Sequence, residues 1–225
     1  MNNKVKLLGY YGSDEIIACS AWTSTSRDLT DKKRQRIPKL INMLWSQGHE
    51  TPFEKGMVHF LVDTEIASHI HLLKHRISSL NAESARYKEL KANKFYIPED
   101  WNDIEVSEES KTVEACAFLG NKYWTEQLID FSKQSNDLYH TCLADLTPLL
   151  GRKRAKESAR FFKMYNSQIQ ADVSFNMRSF ANFLSLRNSE HAQLEIREVA
   201  QEMLSLVSSI EGNPFKHTLK AFNKQ

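Results

Sequence analysis

MVHFLVDTEIASHIHLLKHRISSLNAESAR, residues 57–86, changes periodicity twice within one stretch of chain. In MVHFLVD, Val58, Phe60 and Val62 fall on every second position, which predicts a half-buried strand over 57–63. From about 65 to 73 the spacing becomes that of a short helix. Past Leu73 the pattern stops: residues 74–89 are polar, with only Ile77, Leu80 and Tyr87 as apolar contacts. So many hydrogen-bonding groups with so little apolar surface cannot build a core. The segment reads either as a solvated loop or as a site, and Lys74, His75, Arg76 and Arg86 among serines suit a bound anion.

Working outward, KVKLL at 4–8 reads as a short first strand ending at Gly9. Ser13 is placed to cap a helix through about Trp22, with Asp14 and Glu15 at its positive end. A second helix is expected over roughly 32–47, its stripe formed by Ile37, Leu40, Ile41, Leu44 and Trp45 and its end set by Gly48. Pro38 sits awkwardly in that span and suggests a later helix start. FYIP at 95–98 suggests a further strand. Helical patterns cover 108–145 and 152–164 with breaks near Pro148 and Gly151, then 176–187 and 189–209, and Asn213–Pro214 opens a terminal helix. The expectation is α+β: one domain over 1–225, a modest antiparallel sheet flanked by helices, and a helical second half.

Composition narrows the function classes. Thirty basic residues against 28 acidic leave a formal charge of +2, so any anion site must be a local cluster. No apolar run reaches spanning length, and MNNKVKLLGYYGSDE lacks a signal-peptide core, so a cytoplasmic protein without membrane contact is expected. Cys19, Cys116 and Cys142 have no CxxC spacing, which argues for reduced, mostly buried thiols and against a metal site. Neither GxGxxG nor GxxxxGK occurs, so a nucleotide would be bound without a Rossmann or Walker loop. Late in the chain, Arg178, Asn182, Arg187, His191, Gln193 and Arg197 are spread among Phe180, Phe183, Leu184 and Leu186. These arginines need partners: Glu190 and Glu195 if their role is structural, an anionic ligand if it is functional.

KHRISSLNAESARY, 74–87, resembles the signature of flavin-dependent thymidylate synthases, the thymidylate synthase-complementing protein family: Arg-His-Arg followed after seven residues by Ser, here Ser84. GHETPFE at 48–54 and RSFANFLSLRNSEHAQLEIR at 178–197 agree with that family in order and spacing. The resemblance implies an FAD-dependent methyltransferase that converts dUMP to dTMP, with methylenetetrahydrofolate as carbon donor and NADPH as reductant. It implies a homotetramer whose subunits share sites, and no nucleic-acid partner. FAD contacts then fall to Thr51, Lys74, His75, Arg76, Asn81, Glu83, Asn176, Arg178, Asn182 and His191. The dUMP contacts fall to His71, Lys74, Glu83, Ser84, Ala85, Arg86, Arg160 and Arg187, and His49 lines the folate and substrate pocket. Arg187 would face the uracil ring and stabilise its anionic form, because a fixed guanidinium near N3 and O4 favours the deprotonated ring, which carries the electron density that methylation at C5 requires. Ser84 has no obvious activating base, so it is not expected to act as a nucleophile.

Three departures stand out. Lys74 replaces the signature's first arginine, which keeps the charge and loses the bidentate fork. His71 stands where the family commonly has glutamine, and Trp22 where it has an early arginine. Two other readings remain at this stage. One is flavin- and folate-dependent hydroxymethylation or methylation of another uracil-bearing acceptor. The other is a nucleic-acid-binding protein using 74–87 and RKRAKESAR at 152–160, which would bind with a steep salt dependence.

Overall fold

The computed structural model describes residues 2–90, 94–114 and 120–222. Four strands, β1 (Lys4–Tyr11), β2 (Met57–Glu65), β3 (Ser79–Ala82) and β4 (Gln168–Asn176), form one antiparallel sheet in the order β1-β2-β4-β3. The described helices are α1 (Asp14–Trp22), α2 (Asp31–Ser46), α3 (Ile66–Leu73), α4 (Trp124–Leu150), α5 (Arg152–Ala159), α6 (Met177–Arg187), α7 (Leu194–Ser208) and α8 (Lys216–Phe222). The α+β class is therefore as expected. By contacts the chain gathers into two compact units: residues 4–62, 71–81 and 171–225 in one, and residues 1–3, 63–70 and 82–170 in the other.

The first unit holds the larger core. Val58, Phe60 and Val62 of β2 and Val173 and Phe175 of β4 turn one face inward, while the outward positions carry His59 and Asp172, joined at 2.5 Å. That alternation follows from the two-residue period of a strand. Helices α1, α2, α6, α7 and α8 supply Ile17, Ile37, Ile41, Phe180, Phe183, Ile196, Met203 and Leu219 to the same core. Burying a side chain of this size contributes about 1.5–3 kcal/mol. Ser13 caps α1 as expected, its hydroxyl accepting from the Ile16 N–H at 3.3 Å. Buried Asp14 then ties α1 to α8 by accepting from His217 N (2.7 Å), Thr218 N (3.0 Å) and Thr218 Oγ1 (2.7 Å). Gly56 is required where β2 begins, because a Cβ there would stand 2.8 Å from Met177 Cγ and 2.9 Å from a Phe215 ring carbon.

The second unit packs α4 against α5 around Tyr139, Leu143, Ala155 and Ala159, with Leu90 completing the cluster. Gly151, at φ +75°, makes the break between the two helices, a conformation that suits glycine.

Several expectations need correction. Pro38 does not start α2; the helix begins at Asp31 under the Thr30 cap and carries Pro38 in its interior. Helix α4 runs through Pro148, so only Gly151 breaks it. FYIP is not a strand: Phe95 makes one isolated antiparallel bridge to Ser167. In the described part of 108–123, Ser110–Thr112 is a single 3-10 turn and Tyr123 bridges Glu105; residues 115–119 of the expected helix lie outside the described residues. Strands β3 and β4 were not expected from the sequence. Cys19 and Cys142 are half-buried free thiols, and Cys116 lies outside the described residues.

Candidate active site

Within the first unit a cleft of about 390 Å³ opens between α6, the end of α2, the short 3-10 helix Thr51–Lys55 and the segment after α3. Helix α6 makes one wall, and its register explains why. Arg178, Asn182 and Ser185 recur at helical spacing on the cleft side, while Phe180, Phe183 and Leu184 are buried in the core. Asn176 fixes the start of α6 by accepting from the Ser179 N–H at 2.8 Å. Lys74, His75 and Arg76 make the facing wall. Among the described residues the exposed side chains of Lys74 and Arg76 have no partner. Arg178 does have partners: Nε donates to Glu50 at 2.7 Å and NH1 to Glu54 at 2.8 Å. Both carboxylates line the cleft, as does Trp45, whose buried indole N–H has no acceptor among the described residues.

Arg187 ends α6, where a cation complements the helix dipole. Its Nε donates to His75 Nε2 at 3.0 Å, and NH1 lies 3.2 Å from His71 Nδ1. A guanidinium only donates, so both ring nitrogens accept, and His75 carries its proton on Nδ1. His75 is 8% exposed and packs edge-on to Phe183, with ring centroids 5.0 Å apart. Burial first, then the Arg187 charge and then His71, push its pKa down from 6.5 to about 4. His75 is therefore neutral at physiological pH. Among the described residues no carboxylate pairs with Arg187, so the Glu190 partnership that a structural role called for does not form.

The remaining first-unit candidates lie outside this lining. His49 donates its backbone N–H to Leu44 O at 2.8 Å, Thr51 opens the 3-10 helix, Asn81 is exposed on β3, and His191 is exposed between α6 and α7.

In the second unit, Glu83, Ser84, Ala85 and Arg86 form a turn beside α5. Glu83 is held on β4 through its backbone N–H to Gln170 O (2.9 Å) and by Oε2 accepting from Gln170 N (3.3 Å), and it forms an ion pair with Lys88. The Ser84 hydroxyl accepts from Arg86 N at 3.3 Å, and among the described residues no base contacts it. Ala85 packs on the Tyr139 cluster. Arg86 Nε donates to Glu157 Oε1 at 2.6 Å, which holds the Glu157 carboxyl below its usual range. Arg160, at the C-terminal end of α5, is exposed and unpaired among the described residues.

Sequence reasoning missed Glu50, Glu54 and Trp45 at the cleft and Glu157 beside Arg86. The first two stand in GHETPFE, already singled out as a block, and their charge was the available signal. Glu157 stands likewise in RKRAKESAR, singled out only for its basic residues.

A family model described as thymidylate synthase complementing protein matches residues 6–211. The flavin-dependent thymidylate synthase of Pseudothermotoga lettingae is 35% identical over 207 residues, covering 92% of this chain and 85% of that protein. That of Thermosipho africanus is 30% identical over 202 residues, covering 90% and 84%. Among solved structures, the UMP/dUMP methylase PolB from Streptomyces cacaoi bound with 5-Br dUMP has a TM-score of 0.74 at 24% identity, covering 99% of this chain and 95% of that one, a likeness of fold. Its complex with 5-Br UMP gives 0.72 at 26% identity, covering 99% and 94%. The chain belongs to the thymidylate synthase-complementing protein family.

Proposed function

We propose that this protein is a flavin-dependent thymidylate synthase, converting dUMP to dTMP with methylenetetrahydrofolate as carbon donor and NADPH as reductant. The observation that carries this reading is the setting of Arg187. The neutral His75 imidazole and the His71 ring hold the guanidinium in place without a carboxylate to cancel its charge. A carboxylate partner would orient it equally well but neutralise it. A preorganised, uncompensated cation in a half-buried site is what an anionic uracil ring requires, since it stabilises charge as that charge develops. Arg187 near N3 and O4 favours the deprotonated ring and so makes C5 nucleophilic toward the one-carbon unit.

The flavin contacts are assigned to Lys74, His75, Arg76, Arg178 and Asn182 around the cleft, with Thr51, Asn81, Glu83, Asn176 and His191 completing the set. The fit is supported by the unpartnered cations Lys74 and Arg76, which suit a pyrophosphate, and by the unsatisfied Trp45 N–H. When bound, FAD supplies the hydride that reduces the transferred carbon to a methyl group. Ser84, Arg86 and Arg160 are assigned to the dUMP phosphate, His71 and Ala85 to dUMP as well, and His49 to the folate and substrate pocket. The family resemblance, which implies sites shared between subunits, supports a homotetramer. No described helix is long and apolar enough to cross a membrane. The enzyme is assigned to the cytoplasm, without a nucleic-acid partner.

The test is thymidylate formation from dUMP, methylenetetrahydrofolate and NADPH by the purified yellow protein. A colourless protein that forms no product under saturating FAD would overturn the assignment. A second reading, methylation of UMP, is favoured by the likeness to a UMP/dUMP methylase, with His71 in place of the family's glutamine. Running UMP beside dUMP in the same assay decides between them.

A further inference from the structure

Helix α6 gives the cleft two electrostatically different ends. Arg178 is its second residue and Arg187 its last, which separates them by about 13 Å along the helix axis. At the Arg187 end the guanidinium meets His75 and His71, with no carboxylate among the described residues. At the Arg178 end one guanidinium faces two carboxylates, Glu50 and Glu54, so the local balance is negative. His75 lines the cleft and also touches Arg187, so the cleft reaches the proposed uracil position at that end.

The two carboxylates grip different nitrogens of Arg178, Nε to Glu50 Oε2 at 2.7 Å and NH1 to Glu54 Oε1 at 2.8 Å. Because the guanidinium is planar, this fixes both carboxylates relative to one another. Each keeps one oxygen, Glu50 Oε1 and Glu54 Oε2, that accepts no hydrogen bond among the described residues. Trp45 borders the same cleft, and its buried indole N–H is also unsatisfied among the described residues. A phosphate would be repelled by this acidic end. Hydroxyl groups would be welcome there, since an O–H donated to a carboxylate makes a charge-assisted bond. A vicinal ribose diol supplies two such donors side by side, and a carboxylate is the acceptor that reads a ribose in dinucleotide folds.

We infer that Glu50 and Glu54 read the adenosine ribose of FAD, each taking one hydroxyl of the diol, with Arg178 as the positioning residue that holds the pair. This rests on the reading of the cleft as the flavin site. The orientation follows from the reaction. Hydride delivery to the transferred carbon requires the isoalloxazine beside the uracil ring, hence at the Arg187 end. The adenosine half is then left for the Arg178 end, and the pyrophosphate for the free cations Lys74 and Arg76 on the facing wall. The acidic pair therefore selects FAD over FMN, which lacks the adenosine.

The test is equilibrium dialysis of the full-length protein against FAD and FMN, with ADP as competitor, beside the thymidylate assay. The wild type is expected to prefer FAD to FMN by about tenfold or more, and ADP should displace FAD. In E50Q and in E54Q, FAD affinity should fall about tenfold while FMN affinity stays within about twofold, and ADP should lose its competition. Should the glutamine variants not fold, R178K, which keeps the charge and loses the two-nitrogen grip, must weaken FAD selectively in the same way. FAD and FMN weakened equally would reduce the carboxylates to structural residues and overturn the inference. Both flavins bound more tightly would overturn it too, since the carboxylates would then only mask Arg178 from a phosphate. Equal wild-type affinities for FAD and FMN would overturn the ribose contact and leave the synthase reading intact if dUMP is still methylated. Absence of flavin binding and of turnover would overturn both readings.

Discussion

Arg187 and Arg86 are both proposed dUMP contacts, yet the chain surrounds them in opposite ways. Arg187 is half-buried and supported by ring nitrogens of His75, which is neutral, and His71, with no carboxylate between them. Arg86 is exposed and answered by the Glu157 carboxylate. The partners set what each arginine can do. Neutral acceptors orient a guanidinium and leave its field directed at the ligand, where limited solvent strengthens it. A carboxylate on the surface keeps an arginine extended but must be displaced or shared when a phosphate arrives, so the contact becomes an exchange of anions. The first arrangement suits charge that appears during reaction; the second suits charge that the ligand brings with it.

The hardest test of this contrast is Arg187→Ala. FAD binding and NADPH oxidation should persist while methyl transfer falls by about a hundredfold or more, since removing one preorganised donor costs about 2–4 kcal/mol in the transition state. Arg187→Lys should recover only part, because one ammonium cannot span N3 and O4. Normal thymidylate formation in Arg187→Ala with a lowered thermal midpoint would reduce Arg187 to a structural residue.

His75 sharpens the same side of the comparison through pH. Its folded-state pKa of about 4 lies below the ordinary 6.5, so the folded protein binds this proton less readily than the unfolded chain. The resulting stability is fully present above pH 6.5 and is lost as pH falls toward 4, about 3 kcal/mol across that window. Replacing His75 with Asn should flatten that part of the stability profile, as read by denaturant midpoints at matched pH values. An unchanged slope would mean that the imidazole is not held neutral by burial and Arg187.

Lys74 tests the cleft's free cations. Lys74→Arg should tighten FAD or dUMP by about 1–2 kcal/mol if a phosphate oxygen pair lies in reach, because a bidentate fork exceeds a point charge. Titration of both ligands into both proteins measures it, and equal affinities would show that Lys74 points elsewhere. The smallest effect is expected at the exposed arginine. Glu157→Gln removes the competing carboxylate, so dUMP should bind about two- to threefold more tightly at low salt. Weaker binding would mean that Glu157 orients Arg86 rather than competing with the ligand.

Legibility from sequence varied with the kind of pattern. Strand β2 could be read because Val58, Phe60 and Val62 are all fully buried on one face. Strand β4 was overlooked although Ala171, Val173 and Phe175 alternate equally well, because Gln170, Asp172 and Ser174 between them made the stretch read as polar. Only the neighbouring strand explains those residues, since Asp172 meets His59 across the sheet. Strand β3 has four residues and a single apolar contact, Leu80, so nothing local could have marked it.

What the sequence by itself determined is therefore local or compositional: the Ser13 cap, the stripes of α2 and α7, the inward face of β2, the break at Gly151, and the three blocks that carry the family resemblance. These depend on backbone propensity and on a side-chain period of two or 3.6 residues, which act within a few positions. The tertiary structure alone decided the partners. Arg187 meets His75 across 112 residues, Arg178 meets Glu50 across 128, and Arg86 meets Glu157 across 71. No local propensity encodes such pairings. They exist because packing of the core brings distant segments to one surface, and whether the group met there is a neutral imidazole or a carboxylate sets the electrostatic character of each arginine.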